Sequence, residues 1–346
     1  TELSQIPDKF FRVLPALGIT LLLLDYGIPI AAGGASFGGS IGAIAGTIAI
    51  YIVFLTNKKR INEEIQSSPI KEEYRVSAIV KDLLMIAIPI TIGSAITPIL
   101  DAIDASMVIK RLQLINYTEE IANELYGQLK GYAQTLINLP QVFSVSIAMS
   151  LVPAISNARA RKQKAEIEGI VNSGIRITLL IGLPCAFGLF VLARPIIELL
   201  YFSNTQETIS SIGEILQYLS FGVIFLTLVQ ALTSMLQGLG KPLIPVINLF
   251  IGAIFKVIIT YILLVVPSLN VKGAAIGTVS AYAVACILDL ISLRILTRMS
   301  FNFKDIFIKP FISAALMALV VKLSYLAIIN IIGSKLATLV SIMVGV

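Results

Sequence analysis

Residues 256–277 read KVIITYILLVVPSLNVKGAAIG, and residues 12–38 read RVLPALGITLLLLDYGIPIAAGGASFG. Each stretch begins with a basic residue and a Val, continues through an apolar segment and a turn, and ends in a Gly-x-x-x-Gly pair. A second apolar segment and a basic cluster follow, Lys58–Arg60 in one copy and Arg294–Arg298 in the other. The pattern predicts two equivalent helical hairpins, each starting and ending on one side of a membrane, as in transporters built from internal repeats.

The composition is typical of a helical membrane protein. The chain is 57% hydrophobic and 13% charged, with a mean hydropathy of +0.92, whereas a soluble domain carries about 25% charged residues. The apolar residues form blocks of about 20, the length that crosses the ~30 Å hydrocarbon core of a bilayer. A β-barrel would show short alternating segments instead. We therefore predict an all-α, polytopic membrane protein.

The apolar blocks define about ten transmembrane helices. They lie at 9–29, 31–55, 83–108, 128–153, 173–194, 212–235, 243–266, 273–294, 309–331 and from 337 onward. The repeat makes the first two spans equivalent to the fifth and sixth of a six-span lobe, so we expect fourteen helices in a two-lobe exporter fold with the first lobe truncated. The missing initiator Met and the end at Val346 inside an apolar run lead to the same expectation of truncation at both ends.

Four segments follow from this arrangement. We assign 1–56 to the last two helices of the N-terminal lobe and 57–82 to a cytoplasmic inter-lobe linker. The complete six-helix C-terminal lobe takes 83–298, and 299–346 holds two additional C-terminal helices, the last one truncated. The linker is the longest polar stretch of the chain, and its charge density and Ser68-Pro69 step are typical of such a segment.

The basic residues indicate topology rather than nucleic-acid binding. The net charge is +6, from 26 Lys and Arg against 20 Asp and Glu. Most of these cations fall in loops on one face of the predicted topology, and the opposite face holds only Lys110, Arg111, Lys130, Arg194, Lys272 and Lys335. This asymmetry is the positive-inside signature, so it places the basic loops in the cytoplasm. There they can contact anionic membrane lipids, and we expect no nucleic-acid partner.

Charged residues inside the spans are the first candidates for a substrate cavity, because a charge at mid-bilayer costs about 2.5–3.5 kcal/mol on insertion scales. Asp101 and Asp104 share one helical face. They would line a cavity and carry a proton or bind a cation, or else be solvated at the outer surface. Lys256 and its counterpart Arg12 would face a shared cavity and bind an anion. Alternatively, Lys256 snorkels and Arg12 pairs with Asp8.

Three amides give the span 128–153 a polar side. They are Gln128, Asn138 and Gln141, and they suit either a cavity helix or hydrogen bonding between helices.

Two further charged residues within the spans have simpler explanations. We expect Asp289 to be solvated near the cytoplasmic end of its span, and Lys322 to snorkel.

Other chemistry is not visible in the sequence. The chain has no His, which is the commonest general base and metal ligand, and no P-loop or metal-ligand cluster. Cys185 and Cys286 fall within spans and do not indicate a disulfide framework. We therefore expect a protein that is not an enzyme, with no catalytic residue, cofactor or metal, and a proton or sodium gradient is the candidate energy source.

Several motifs resemble those of polysaccharide-biosynthesis flippases. They are Leu125-Tyr126-Gly127, Asn138-Leu139-Pro140, Ser150-Leu151-Val152-Pro153-Ala154-Ile155-Ser156, Leu236-Gln237-Gly238-Leu239-Gly240 with Pro242, and Gly273-Ala274-Ala275. Over essentially the whole chain they resemble the stage V sporulation protein B group of the multidrug/oligosaccharidyl-lipid/polysaccharide exporter superfamily, which is related to MurJ-type lipid II flippases. The large departure is the absence of the first four helices, where MurJ-type proteins carry much of their substrate-binding arginine set.

The resemblance implies two six-helix lobes around a central cavity, working by alternating access. Its implied substrate is a lipid-linked anionic glycan, an undecaprenyl-pyrophosphate-linked oligosaccharide or peptidoglycan precursor, exported across the bacterial cytoplasmic membrane for cell-wall or spore synthesis. Two alternatives stay open. One is a cation-coupled multidrug efflux transporter that uses Asp101 and Asp104, and the other is a polytopic glycan polymerase or acyltransferase with catalytic residues in the outer loop 109–127.

Overall fold

The computed structural model describes residues 2–67, 76–299 and 304–345, which are helical apart from short turns. In chain order the α-helices are α1 (Glu2–Leu23), α2 (Ile28–Ser67), α3 (Val76–Gln113), α4 (Glu119–Gly127), α5 (Gln134–Ala160), α6 (Lys164–Val191), α7 (Ala193–Leu200), α8 (Gln206–Gly238), α9 (Leu243–Leu263), α10 (Lys272–Thr297), α11 (Lys309–Ile332) and α12 (Ser334–Gly345). The chain divides into two units, Thr1–Ile79 and Val80–Val346. The all-α fold class is confirmed.

In the first unit, α1 and α2 form a tight hairpin. Its turn contains Gly27, whose φ of 108° lies in the region that favours glycine. The Gly-x-x-x-Gly pair of α2 faces α1 without room for side chains. A Cβ on Gly34 would lie 2.7 Å from a methyl group of Ile19, and one on Gly38 would lie 2.5 Å from the Cβ of Ala16. Close backbone approach therefore holds this hairpin together.

In the second unit, α9 and α10 form a hairpin with the same internal packing. A Cβ on Gly273 would lie 2.8 Å from the Cβ of Leu263, and one on Gly277 would meet the Thr260 hydroxyl. In the first hairpin the corresponding partners are Ile19 and Ala16. Ile19 lies as many residues before Leu263, and Ala16 as many before Thr260, as Arg12 lies before Lys256. The two hairpins thus share the contact register that the sequence repeat predicts.

Helix α8 is the centre of the second unit. It packs against α5, α6, α7 and α10, and 72% of its most apolar stretch is buried within the protein, against 17% for the stretch that contains α11. The Thr205 side chain caps its first turn by accepting a hydrogen bond from the Thr208 backbone N–H at 3.3 Å. A helix that is apolar all round has to be enclosed by others, so α8 anchors the bundle that carries the cavity described below.

Helices α4 and α5 form one continuous rod through a π-helical turn at Gln128–Ala133. The rod begins at the Thr118 cap, whose hydroxyl accepts from the Ile121 backbone N–H at 3.4 Å. It therefore starts well before the predicted span 128–153. Single π-helical turns within α-helices are frequent at functional sites, and this one positions Lys130.

Seven helical stretches of the described residues are long and apolar enough to cross a membrane, and they match seven predicted spans. The predicted spans 9–29, 83–108 and 337 onward correspond to α1, α3 and the short α12, and the count of ten stays a prediction. The proposed linker 57–82 lies partly in α2 and α3, and residues 68–75 are outside the described part. The outer segment 109–127 is helical except for 114–118.

Candidate functional site

Four charged side chains meet inside the unit Val80–Val346, and we call them the charge cluster. Lys256 of α9 donates a hydrogen bond to Asp104 Oδ2 of α3 at 2.5 Å. Lys130, in the π-helical turn, lies 2.6 Å from Asp101 Oδ1 and 3.4 Å from Asp104 Oδ2. Asp101 and Asp104 are one helical turn apart on α3, which explains how both reach the same lysine. Two cations and two anions make the cluster formally neutral.

The charge cluster has a buried half and an accessible half. The side chains of Lys256 and Asp104 are only 6% and 3% exposed. Those of Lys130 and Asp101 are 22% and 51% exposed. A buried ion is costly unless it is paired, so Lys256 and Asp104 each make the burial of the other tolerable. The outer pair is therefore the part of the cluster that stays in contact with solvent.

A cavity of about 480 Å³ opens beside the charge cluster. Its polar lining comes from α3, the π-helical turn, α5, α8, α9 and α10, namely Thr97, Asp101, Lys130, Gln134, Asn138, Gln141, Gln230, Lys256, Thr278 and Tyr282. Apolar side chains, such as Leu226 and Leu249, complete the wall. The arrangement offers one accessible ammonium, one accessible carboxylate and several neutral hydrogen-bonding groups within the membrane-spanning region.

Four of the predicted site residues, Asp101, Asn138, Gln141 and Lys256, line this cavity. Asp104 stands behind them as the partner of Lys256. The snorkelling explanation of Lys256 is wrong, because the ammonium is buried against a carboxylate instead of reaching the membrane surface. The roles of these residues in transport remain proposals.

The structure places the two other predicted residues elsewhere. Gln128 is buried but does not line the cavity. Its side-chain oxygen accepts a hydrogen bond from the Ser211 hydroxyl of α8 at 2.6 Å, so it serves the alternative of bonding between helices. Arg12 belongs to the other unit, Thr1–Ile79, where it is exposed. Its pairing with Lys256 across a shared cavity stays a prediction.

Lys130 is the site residue that the sequence reading missed. Loop charges place Lys130 on the outer face, because the predicted span begins at 128. The observed helical rod begins at Glu119, which sets Lys130 about 16 Å along the axis from that end at 1.5 Å per residue. A signal was present in the sequence, since Lys130, Gln134, Asn138 and Gln141 recur at intervals of four, four and three, as one face of a helix does.

A second buried polar group lies between α9 and α10. The Asn248 side-chain N–H donates to Asp289 Oδ1 at 2.7 Å and to the Ser292 hydroxyl at 3.3 Å. Asp289 is 1% exposed, so the expectation that water solvates it is wrong. The cause is its orientation, because Asp289 faces α9 rather than the cytoplasm.

Comparison with known proteins identifies the kind of protein. The family model described as "Lipid II flippase MurJ" matches residues 19–344. Among curated proteins of Bacillus subtilis, "Uncharacterized membrane protein YabM" is 28% identical over 297 residues, 85% of this chain and 53% of that protein. "Stage V sporulation protein B" is 26% identical over 306 residues, 88% of this chain and 57% of its own length.

A solved structure gives the same fold. "Lipid II flippase MurJ, inward closed conformation" superposes with a TM-score of 0.67 at 18% identity, covering 97% of this chain and 63% of that one. At this identity the likeness is one of fold. The chain spans about half the length of the curated relatives it matches. The family match over nearly the whole chain and its membrane-spanning helices confirm the resemblance seen in the motifs, and the chain belongs to the MurJ family of membrane flippases.

Proposed function

We propose that this chain serves a flippase that moves an undecaprenyl-pyrophosphate-linked oligosaccharide or peptidoglycan precursor, similar to lipid II, across the bacterial cytoplasmic membrane by alternating access. The observation that carries the proposal is Lys130, a partly exposed ammonium that faces a polar cavity inside a membrane helix bundle. The family membership supports transport of a lipid-linked substrate, since relatives carry the name lipid II flippase.

The cavity is suited to the polar part of such a substrate. A pyrophosphate oxygen would take the place of the Asp101 carboxylate as the partner of Lys130, because a cation within a low-dielectric site binds anions strongly. Asn138, Gln141 and Gln134 would hydrogen-bond sugar hydroxyls, as neutral amides both donate and accept. The Lys256 ammonium is already paired with the Asp104 carboxylate. It would therefore position the carboxylates of α3 and would not bind the phosphate directly.

The substrate would cross the membrane chemically unchanged, so this role requires no catalytic residue and no bound cofactor. Transport against a gradient then needs an external source of free energy. We propose a proton or sodium gradient, which a carboxylate within the helix bundle can sense by binding the ion.

The proposal predicts that Lys130→Gln slows flipping about tenfold or more, because a charge-assisted hydrogen bond contributes about 1.5–3 kcal/mol. The measurement is rescue of growth and of lipid II externalisation in a strain depleted of its own flippase. The complete coding sequence that contains this chain is expressed there.

Lys322→Gln is the matched control, because Lys322 is an exposed lysine of α11 outside the cavity. We expect this variant to rescue as the unmodified protein does. Equal rescue by both variants at equal expression would remove Lys130 from the substrate path. A wild-type protein that fails to externalise any lipid-linked glycan would remove the flippase proposal itself.

One observation favours cation-coupled drug efflux as a second candidate. The side chain of Asp101 is more exposed than that of Lys130, and an accessible carboxylate binds cationic drugs. Under this alternative, expression would raise resistance to cationic dyes and antibiotics, and Asp101→Asn would abolish that resistance. Under the flippase proposal, expression leaves drug susceptibility unchanged.

A further inference from the structure

Asp289 is a buried acid that the proposed transport path does not use. It lies on α10, and it is only 1% exposed. Oδ1 accepts a hydrogen bond from Asn248 at 2.7 Å, whereas Oδ2 is fully buried and has no hydrogen-bond partner. Native proteins rarely leave such an oxygen unpaired, so a ligand of Oδ2 has to be sought.

The surroundings of Asp289 contain no balancing cation. Among the described residues, no Lys or Arg nitrogen lies within 4.0 Å of its carboxylate. Helix α9 presents the neutral Asn248 to it, and α10 itself presents Ser292 and the buried Cys286 thiol. Helix α8 contributes apolar side chains to the core cluster that holds Cys286 and Leu293. An ionised carboxylate would therefore be a buried charge without a counterion, which is strongly unfavourable.

The missing ligand has to be small and positive. The described residues contain no group of three or more His, Cys, Asp and Glu that could hold a metal ion, and the hydrogen-bonded group around Asp289 adds only one amide and one hydroxyl. Alkali and divalent cations require more oxygen ligands than this. A proton needs only the free lone pair of Oδ2, and binding it neutralises the charge.

We infer that Asp289 is a proton-binding site, separate from the charge cluster, in which Oδ2 carries the proton and Oδ1 accepts from Asn248. The site lies close to the predicted cytoplasmic surface, since Asp289 is eight residues, about 12 Å, from the end of α10 at Thr297. A small separation of α9 and α10 at that end would admit water and release the proton. If the protein is the proposed flippase, binding and release of this proton would couple flipping to the proton gradient. This coupling role rests on the proposed function.

The test is infrared spectroscopy of the purified protein, expressed from the complete coding sequence and held in micelles of dodecyl maltoside, a detergent that has no carbonyl group. A protonated carboxylic acid has a C=O stretching band that carboxylates and amides lack. We expect such a band in the unmodified protein, its loss in Asp289→Asn and its retention in Asp25→Asn. Asp25 is an exposed acid in the turn after α1 and serves as the matched control.

Two further measurements keep the inference falsifiable. In Asn248→Ala the band should persist and move to higher frequency, because Oδ1 has lost its donor, and this variant decides the matter if Asp289→Asn does not fold. In the unmodified protein the band should weaken reversibly as the pH is raised, since the bound proton is released. A missing band, a band unaffected in both variants, or a band independent of pH would overturn the inference. Because no transport is measured, failure of the flippase proposal would leave these results unchanged.

Discussion

At the scale of single residues, the contact between Lys256 and Asp104 is the buried half of the charge cluster. Both side chains lie almost wholly out of reach of solvent, and the 2.5 Å contact is the main compensation for either charge. Such a pair contributes little net stability relative to apolar side chains of the same size, but losing one partner is severe. A substitution at Lys256 or Asp104 alone should therefore be more damaging than a substitution of both residues together.

This pairing predicts a marked difference between single and double variants. Lys256→Met should destabilise the protein by about 3–5 kcal/mol, because it leaves the Asp104 carboxylate buried without its main counterion. Lys256→Met combined with Asp104→Leu should recover most of that loss. Denaturant unfolding in detergent micelles, followed by circular dichroism since the chain has no Trp, measures both. A double variant as unstable as the single one would show that the pair is not the source of the effect.

The residues of the site also show where sequence reasoning succeeds and where it stops. Asp101 and Asp104 could be identified because a charge in an apolar span is conspicuous and their spacing is helical. The sequence predicts a solvated Asp289, because it shows how far the residue lies from the end of its span. It does not show the direction in which the side chain points. Lys130 was missed for a related reason, since the start of its helix lies in a polar segment that hydropathy does not register as a span.

At the scale of elements, the two hairpins are built on one rule. In α1–α2 and in α9–α10, a Gly-x-x-x-Gly pair on the second helix removes the side chains that would separate it from the first helix. Dispersion contacts between backbones at this distance supply the association energy that the hydrophobic effect does not provide inside a membrane. The repeat was predictable because this rule leaves a direct trace in the sequence.

The rule predicts matched effects of adding one methyl group. Gly277→Ala would press a Cβ against the Thr260 hydroxyl, and Gly38→Ala would press one against Ala16 at 2.5 Å. Each should cost about 1–3 kcal/mol of stability. Gly169→Ala in α6 is the control, because a Cβ there meets nothing within 4 Å, and it should stabilise by about 0.5–1 kcal/mol.

Thermal unfolding of the three variants in the same detergent checks this prediction. The Gly169→Ala control separates the effect of crowding from the general effect of replacing glycine in a helix. If Gly169→Ala lowers the melting temperature as much as Gly277→Ala does, helix propensity and crowding have been assigned to the wrong positions.

At the scale of the whole molecule, the charge asymmetry of the loops predicts which face meets the cytoplasm. Lys241, in the turn between α8 and α9, belongs to the predicted basic face, and Lys335, at the start of α12, belongs to the opposite one. Lys241→Cys should therefore react with a membrane-impermeant maleimide only after the cells are permeabilised, and Lys335→Cys should react in intact cells. Both lysines are exposed in the structure, so access to the reagent is not in question.

The unmodified chain is the blank for this experiment, since Cys185 and Cys286 lie within membrane helices. Labelling of Lys335→Cys only after permeabilisation, or of Lys241→Cys in intact cells, would invert the topology. The number of spans stays a prediction. Loop charge records the side of the membrane, whereas the long helices α2 and α3 continue beyond any apolar block.

The neutrality of the charge cluster has an electrical consequence. Moving one elementary charge across 100 mV of membrane potential involves about 2.3 kcal/mol of work. The formal charges of Asp101, Asp104, Lys130 and Lys256 sum to zero, so a motion that displaced all four together would do almost no net work against the field. Sensitivity of this part of the protein to voltage would then arise from whatever charge the cavity takes up, and its empty and loaded states would respond to the membrane potential differently.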